Sequence, residues 1–209
     1  MAGGGRRTIA VLALLSAAGL SSPLLAQPGA DEQLAAIGEA YHHYKIEQSR
    51  RIELPDGSTE AGERLPSVTP ASLFEQAGHA RDWLAQHNAI DSTTYSPAAR
   101  IDAAVLRNLL ETELGDARFR EWEMPFDSDN NFWSYLAVPM PLDSVADYRR
   151  YIARMRDIPR YFDENIANAR SGLARGFSVP RITLQGRDAS LVHYAVEDPK
   201  QSPFWAALA

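Results

Sequence analysis

The five histidines are the first candidates for chemistry, because histidines at suitable spacing bind zinc. His42 and His43 are adjacent, so on a helix their side chains diverge by about 100° and do not easily share a metal ion. His79 and His87 are eight residues apart, and no glutamate completes the H-E-x-x-H pattern that supplies two zinc ligands and a general base. His193 stands alone. The spacing therefore predicts surface or partly buried histidines and no metal site in this chain.

The acidic segment from Asp127 to Asn131 is a second candidate, since it carries oxygen ligands at positions one, three and five, as a calcium loop does. In such a loop the sixth position is glycine and the twelfth is glutamate. Here those positions are Phe132 and Val138. Because both diagnostic positions differ, we interpret the segment as a turn that caps its own backbone.

Four glutamates are the remaining acid–base candidates, since paired carboxyl groups hydrolyse glycosidic bonds. Glu111 and Glu113 lie among arginines on a predicted helix, where charges usually form a solvated face, and Glu121 and Glu123 follow that helix. No G-x-S-x-G elbow, cysteine nucleophile or phosphate-binding glycine loop is present. Residue types and spacing alone therefore predict no catalytic residue.

Helical periodicity predicts a mostly α protein. The first helix is predicted over Asp31 to Arg51, followed by a loop from Glu53 to Thr69 that is rich in Gly, Pro and Ser. A hydroxyl residue followed by proline, at Thr69-Pro70 and again at Ser96-Pro97, predicts the starts of the second and third helices. The third helix has the clearest apolar stripe, formed by Ile101, Val105, Leu106, Leu109, Leu110 and Leu114.

The C-terminal half is predicted to be an irregular helical array. An aromatic-rich, irregular stretch runs from Glu121 to Leu142, and two amphipathic helices joined at Pro159 follow it. Proline removes a helical hydrogen bond, so the pair is expected to kink or break there. After Gly176, a natural helix cap, residues 181–184 are predicted to be a short extended piece and residues 188–196 a last short helix.

The N-terminus reads as a secretory signal peptide. Arg6 and Arg7 precede an apolar run, and Ala26 is the most plausible cleavage position. The run is too short to cross a bilayer comfortably, so no stable membrane span is expected. We therefore predict a signal peptide over 1–26, a linker over 27–33 and one helical domain over 34–209. The mature chain is expected to be exported, to the periplasm or the extracellular space.

Composition narrows the class further. The chain has no cysteine, which excludes a lipoprotein anchor and a disulfide framework, so its hydrophobic core alone must hold it. Signal removal takes the net charge from −6 to −8, because it removes two arginines and no acids. An acidic surface repels phosphate backbones, so no nucleic-acid partner is expected.

Four segments read together resemble a bacterial family known as domain of unknown function 885. The more specific ones are the Tyr151-Ile-Ala-Arg to Ile158-Pro159 junction and the ending Gly172-x-x-x-Gly176-x-x-x-Pro180. Weaker helical patterns at 101–110 and 118–122 accompany them, and the resemblance spans roughly residues 34 to 203.

The resemblance implies a relation to zinc metallopeptidases. Members are large, mostly helical and often exported, with H-E-x-x-H on a helix in the C-terminal half. No position here matches that motif, so no catalytic or metal-binding residue is carried over, and zinc and a peptide substrate are expected only in a full-length parent. This chain would be the family's N-terminal region, one wall of a substrate channel. As a truncated product, frameshift or fragment, it is expected to be inactive alone.

Two other interpretations remain open. The chain could be a standalone exported binding module whose aromatic segment, residues 122–135, holds a ligand, or a remnant with uncovered apolar helix faces and no function. For substrate-lining residues in a full-length parent, the sequence suggests Asn130, Asn131 and Arg181. They are polar, lie in predicted non-helical segments, and are next to aromatic or proline-bounded stretches. Oligomeric state is not predicted.

Overall fold

The computed structural model describes residues 28–127, 131–134, 136–137, 140, 142–192 and 194–208. The predicted signal peptide, Asn130 and His193 lie outside these residues. The mostly α prediction is confirmed. The helices are α1 (Ala30–Gln48), α2 (Pro70–Ala89), α3 (Pro97–Phe119), α4 (Val145–Ala174), α5 (Arg181–Leu184) and α6 (Asp188–Val192), with shorter 3-10 turns at Ser92–Thr94, Glu121–Glu123, Pro199–Gln201 and Pro203–Ala207.

Helix starts follow the signals that the sequence carries. The Thr69 hydroxyl accepts a hydrogen bond from the Ser72 amide at 3.3 Å, and α2 begins at Pro70. The Ser96 hydroxyl accepts one from the Ala99 amide at 3.2 Å, and α3 begins at the next proline. Each hydroxyl satisfies an amide that has no partner inside the helix, which fixes where the helix begins.

A two-stranded hairpin replaces part of the predicted loop. Strand β1 (Arg51–Glu53) pairs antiparallel with β2 (Thr59–Ala61), so α1 ends at Gln48 rather than at Arg51. Gly57, at φ +81°, turns the chain between the strands in a left-handed conformation that glycine adopts without strain. The Pro-Asp-Gly sequence at this turn was a readable hairpin signal that helical periodicity alone overlooked.

The first core lies among α1, α2 and α3. Leu34 and Ile37 of α1 and Ala80 of α2 pack with Leu106 and the fully buried Leu110 of α3. These α3 positions, with Ala99 and Ala103, form one stripe at helical spacing.

The apolar stripe predicted on α3 divides between core and surface. Leu106 and Leu110 are buried, but Ile101, Val105 and Leu109 are 67%, 54% and 43% exposed. The stripe read from the sequence is therefore not a single buried face. The physical reason is that the buried side of α3 is the side carrying its small alanines, where neighbouring helices approach closely, and the other apolar side has no described neighbour covering it.

The two helical stretches predicted on either side of Pro159 form one helix. Helix α4 runs over 30 residues with Pro159 inside it. Proline lacks the amide that would bond to the carbonyl of Met155, a defect that isolated helices rarely tolerate. Here Asp157 and Arg160, on both sides of the proline, are anchored to the segment before α2, so tertiary contacts hold the helix together across it.

The chain after α4 also differs from prediction. Residues 181–184, predicted to be extended, form the helical turn α5, in which the Thr183 amide and hydroxyl both donate to the Pro180 carbonyl. Helix α6 ends at Val192, four residues before the predicted end. A single turn has too few positions for periodicity to distinguish it from a strand.

Among the described residues, no helix combines the length and the apolar character needed to cross a membrane.

Candidate functional site

An apolar groove lies along the C-terminal half of α4. Its volume is about 480 Å³, a size typical of ligand-binding cavities. Three parts of the chain line it: the aromatic segment, the α4 face after Pro159, and the α5–α6 region. The lining residues are Phe126, Phe132, Trp133, Phe162, Asn165, Ile166, Ala169, Arg170, Leu173, Leu184, Arg187, Asp188 and Leu191.

The α4 wall follows from helical spacing. Phe162, Ile166, Ala169 and Leu173 recur at intervals of four, three and four residues, so they share one face of the helix. The sequence predicts this face as an apolar stripe. In the structure Ile166 is 40% and Leu173 67% exposed, which shows that the stripe remains open to solvent in the groove instead of being fully packed.

Aromatic packing forms the second wall. The Phe132 ring meets Phe162 at 4.9 Å and Trp133 at 5.0 Å, centroid to centroid, both in edge-to-face orientation. Phe126 lies 5.7 Å from Trp133. Such edge-to-face pairs are favourable beyond the area they bury. The wall is therefore formed by interlocked rings fixed against α4.

One hydrogen-bond chain attaches this wall to α6. The Trp133 indole Nε1 donates to the Ser190 hydroxyl at 2.8 Å, and that hydroxyl donates to the Arg187 carbonyl at 2.7 Å. Trp133 itself is 5% exposed. A buried indole usually needs such a partner, and this one also sets the position of α6 at the groove edge.

Polar groups are few in the groove. Asn165 is buried, and its amide nitrogen donates to the Tyr161 carbonyl at 2.8 Å. Arg170, Arg187 and Asp188 are the charged lining residues, and none of their side chains makes an ion pair within the described parts of the chain. The surface of the groove is therefore almost entirely apolar, and these charged residues line it chiefly with their carbon atoms.

An ionic network around the buried Asp157 attaches α4 to the segment before α2. The Arg160 guanidinium donates to both Asp157 oxygens, to Glu164 and to the Leu65 carbonyl, and the Leu65 amide donates to Asp157 at 2.8 Å. Further along the helix, the fully buried Asn168 donates to the Val68 carbonyl at 2.6 Å. The hydrogen bonds from Arg160, followed by the Leu65 amide, lower the pKa of Asp157 to about 2. These contacts fix α4 to residues 65–68.

A second network holds the end of α4. Glu123 is buried, and its carboxylate accepts hydrogen bonds from Ser171 at 2.8 Å and from Arg175, with Arg120 3.4 Å away. Burial by itself raises the pKa of Glu123, but the Arg175 and Ser171 hydrogen bonds outweigh it and hold the pKa below its usual value. Glu123 is therefore a structural anion.

The other acid–base candidates are also occupied by structural contacts. Glu113 accepts hydrogen bonds from the Tyr41 hydroxyl at 2.7 Å and from Lys45 at 2.9 Å. Glu111 lies 3.5 Å from Arg107. A hydrogen bond with Asp116 raises the pKa of Glu121. The glutamates do not form an opposed pair around a cleft, as glycoside hydrolysis requires.

The described residues do not fit a zinc site. No group of three or more His, Asp or Glu side chains in the described ranges converges on a point that could hold a metal ion. His43 contacts Glu53, His79 lies 4.5 Å from the Tyr44 ring, and buried His87 bonds through Nε2 to the Ala103 carbonyl. Each of these histidines has a structural environment, and no catalytic step through a metal can be derived from them.

Of the three predicted substrate-lining residues, the structure describes Asn131 and Arg181, and they do not line a common cavity among those described. Asn130 lies outside the described residues. Asn131 pairs with Phe126 in an isolated antiparallel bridge and accepts a hydrogen bond from the Ser134 hydroxyl. Arg181 is exposed and lines a separate cavity with Ile182, Leu184 and Gln185. Sequence reasoning did not single out two arginines that line the groove: Arg170, which follows Ala169 on α4, and Arg187, which directly precedes α6.

Comparison with known proteins gives one match. The model of the family "Bacterial protein of unknown function (DUF885)" matches residues 55–209, well over half of the 209-residue chain. No curated protein and no solved structure matches. The matched region begins after α1 and contains the groove, both ionic networks and all of α4. The chain therefore belongs to the DUF885 family.

Proposed function

We propose that this chain is the non-catalytic, substrate-binding helical part of an exported, zinc-dependent peptidase-like hydrolase. The observation that carries the proposal is the apolar groove of about 480 Å³ between the aromatic wall and α4. It accommodates apolar side chains of a substrate, while its lining contains no nucleophile beside a base. Zinc and the water-activating glutamate would come from a part of the enzyme other than the residues described here.

Uncovered apolar surface supports the view that the chain works within a larger assembly. Ile101, Val105 and Leu109 form an exposed strip on α3, and Val145 on α4 is 68% exposed. Contiguous apolar patches on soluble proteins commonly mark interaction sites. Export is supported by the basic residues Arg6 and Arg7 ahead of the apolar run that ends before Ala26.

The test combines binding with hydrolysis. Isothermal titration of the purified chain with N-acetyl-Ala-Leu-Phe is expected to give saturable 1:1 binding, and N-acetyl-Gly-Ser-Gly, which lacks apolar side chains, is expected not to bind. Internally quenched peptides incubated with the chain and added Zn²⁺ are expected to remain intact. Zinc-dependent hydrolysis by this chain, or equal binding of the two peptides, would overturn the proposal.

A standalone exported binding module is the second candidate, and the same groove favours it. This candidate requires a cooperatively folding monomer that needs nothing to cover its apolar strips. Sedimentation and thermal unfolding of the chain distinguish the two functions. A compact monomer with one sharp transition and no binding of a hydrophobic dye favours the module, whereas self-association or strong dye binding favours a part of a larger enzyme.

A further inference from the structure

We propose that a second cavity, between the β1–β2 hairpin and α4, binds a small organic carboxylate through Arg154, with Arg51 adding positive charge. We call it the hairpin cavity, and its volume is about 230 Å³. Among the described lining residues, it shares only Phe132 with the apolar groove. The inference goes beyond the proposed function and does not depend on it.

Arg154 is a half-buried arginine of α4 that has no carboxylate partner in the described parts of the chain. The other half-buried arginines of this helix each form ion pairs with two carboxylates: Arg150 with Glu60 and Asp147, and Arg160 with Asp157 and Glu164. Within the described residues, the Arg154 guanidinium makes a single hydrogen bond, from Nη1 to the Arg64 carbonyl at 3.0 Å. Its Nε is buried and has no acceptor there, whereas Nη2 is unbonded and not fully buried. Nη2 is therefore the donor that a ligand in the cavity can reach.

Arg51 brings a second positive charge to the same cavity. In the hairpin Arg51 is directly opposite Ala61, so both side chains lie on one face of the ladder. Ala61 is buried against Tyr151, which lies about one turn before Arg154, so this face is turned towards α4. Burial, followed by the charge of Arg51, lowers the pKa of Arg154, and the opposing effect of Asp157 is smaller. Because the described lining contains two arginines and no acidic side chain, the cavity favours an anion.

The rest of the lining determines which anion fits. The hairpin cavity is also bounded by Leu65, Leu136 and Phe132, and the Phe132 ring packs edge to face with Tyr161 at 5.8 Å. An inorganic phosphate would leave these apolar side chains uncovered, whereas a ligand with a short apolar body would bury them. Guanidinium groups bind carboxylates through charge-assisted hydrogen bonds. A carboxylate on a small apolar body, of the kind that benzoate represents, therefore satisfies both parts of the lining.

The experiment compares benzoate with benzamide, which has the same ring and no charge. In an NMR titration of the isotope-labelled full chain, benzoate is expected to shift the amide signals of residues 49–51 and 61–65 saturably. We expect benzoate to bind about tenfold more tightly than benzamide, in keeping with hydrogen bonds between charged groups. In Arg154→Gln the two compounds are expected to bind equally, and as weakly as benzamide binds the parent chain. Arg51→Gln is expected to weaken benzoate binding about threefold, the effect of an exposed charge, and to leave benzamide binding unchanged.

The control is Arg156→Gln. Arg156 is an exposed arginine on the same helix and is not among the residues that line the hairpin cavity, so this variant is expected to keep the tenfold preference. Thermal unfolding shows whether each variant folds, and Arg51→Gln tests the charge even where Arg154→Gln does not fold. Equal binding of benzoate and benzamide by the parent chain would overturn the inference. So would phosphate binding as tightly as benzoate, a preference that survives in folded Arg154→Gln, or unchanged benzoate affinity in Arg51→Gln.

Discussion

Gly172 of α4 lies against the backbone of Glu123, and a Cβ atom placed on this glycine would be 2.3 Å from the Glu123 carbonyl oxygen and 2.8 Å from the Phe177 carbonyl oxygen. Both of those atoms belong to the backbone and cannot rotate away. The contact is next to the Glu123–Arg175 ion pair. The glycine therefore lets the end of α4, one end of the groove wall, approach the 3-10 turn that holds Glu123.

Substitution of this glycine is expected to destabilise the fold. We expect Gly172→Ala to lower the free energy of unfolding by about 1–3 kcal/mol, the range found for overpacked sites, because backbone must move to admit the methyl group. Chemical denaturation of the chain measures the loss. The matched control is Gly115→Ala in α3, where nothing lies within 4 Å of an added Cβ. It is expected to raise stability by up to about 1 kcal/mol through helix propensity. Equal effects of the two substitutions would contradict the close-contact interpretation.

Removing the Asp157 charge is expected to loosen α4. In Asp157→Asn the Arg160 guanidinium keeps its hydrogen bond to Glu164 but loses its two hydrogen bonds to the Asp157 carboxylate. The Leu65 amide then donates to a neutral amide oxygen, which is a weaker acceptor. Breaking a buried ion pair by removing one partner lowers the free energy of unfolding by about 3–5 kcal/mol. Because Arg160 keeps its hydrogen bond to Glu164, we expect a loss near the lower of these values. Asp163→Asn, at an exposed position of the same helix, is the control and is expected to be nearly neutral. Hydrogen exchange at residues 65–68 locates the effect, and unchanged protection there would argue against the anchoring role.

The low pKa of Asp157 makes stability depend on pH. Its pKa is about 2 in the folded chain against 3.8 for the free side chain, so protons bind more readily to the unfolded state. The resulting stability is fully present above about pH 4 and is lost as the pH falls through 2, and it amounts to at most about 2 kcal/mol. The pKa of Glu123 is also lowered in the folded chain, so protonation of Glu123 at low pH further decreases the stability of the fold. Urea unfolding of the parent chain and of Asp157→Asn at several pH values between 2 and 5 tests this, and the variant is expected to show a flatter dependence.

Filling the groove is expected to block peptide binding without unfolding the chain. Ala169 is half-buried in the α4 wall, so Ala169→Phe places a ring inside the cavity. We expect at least about a tenfold loss of N-acetyl-Ala-Leu-Phe affinity, because the apolar area that the peptide would bury is already occupied. Ala167→Phe adds the same ring at an exposed position of α4 that does not line the groove, and it is expected to leave affinity unchanged. Loss of binding in both variants would indicate a general effect on α4 instead of a filled site.

The residues that sequence reasoning located correctly are those governed by local rules. Thr69 and Ser96 cap helices because a hydroxyl before a proline satisfies free amides within three residues. The face Phe162–Ile166–Leu173 was readable as one apolar stripe, since spacing along a helix fixes which side chains share a face. The family resemblance, which rested on motifs in α4 and just after it, is supported by the family match over residues 55–209.

Only the tertiary structure decided which apolar residues are buried and whether α4 continues past Pro159. Both outcomes depend on which surfaces pack against each other. Ile101 and Leu110 have the same apolar character, yet only Leu110 is covered by other helices. Pro159 signals a break, but the bonds that Asp157 and Arg160 make to a segment about 95 residues earlier keep α4 whole. Local sequence determined where α2 and α3 begin and which side chains share the apolar face of α4. Long-range packing left the α4 face open and brought the aromatic segment and α6 beside it, which is what creates the groove.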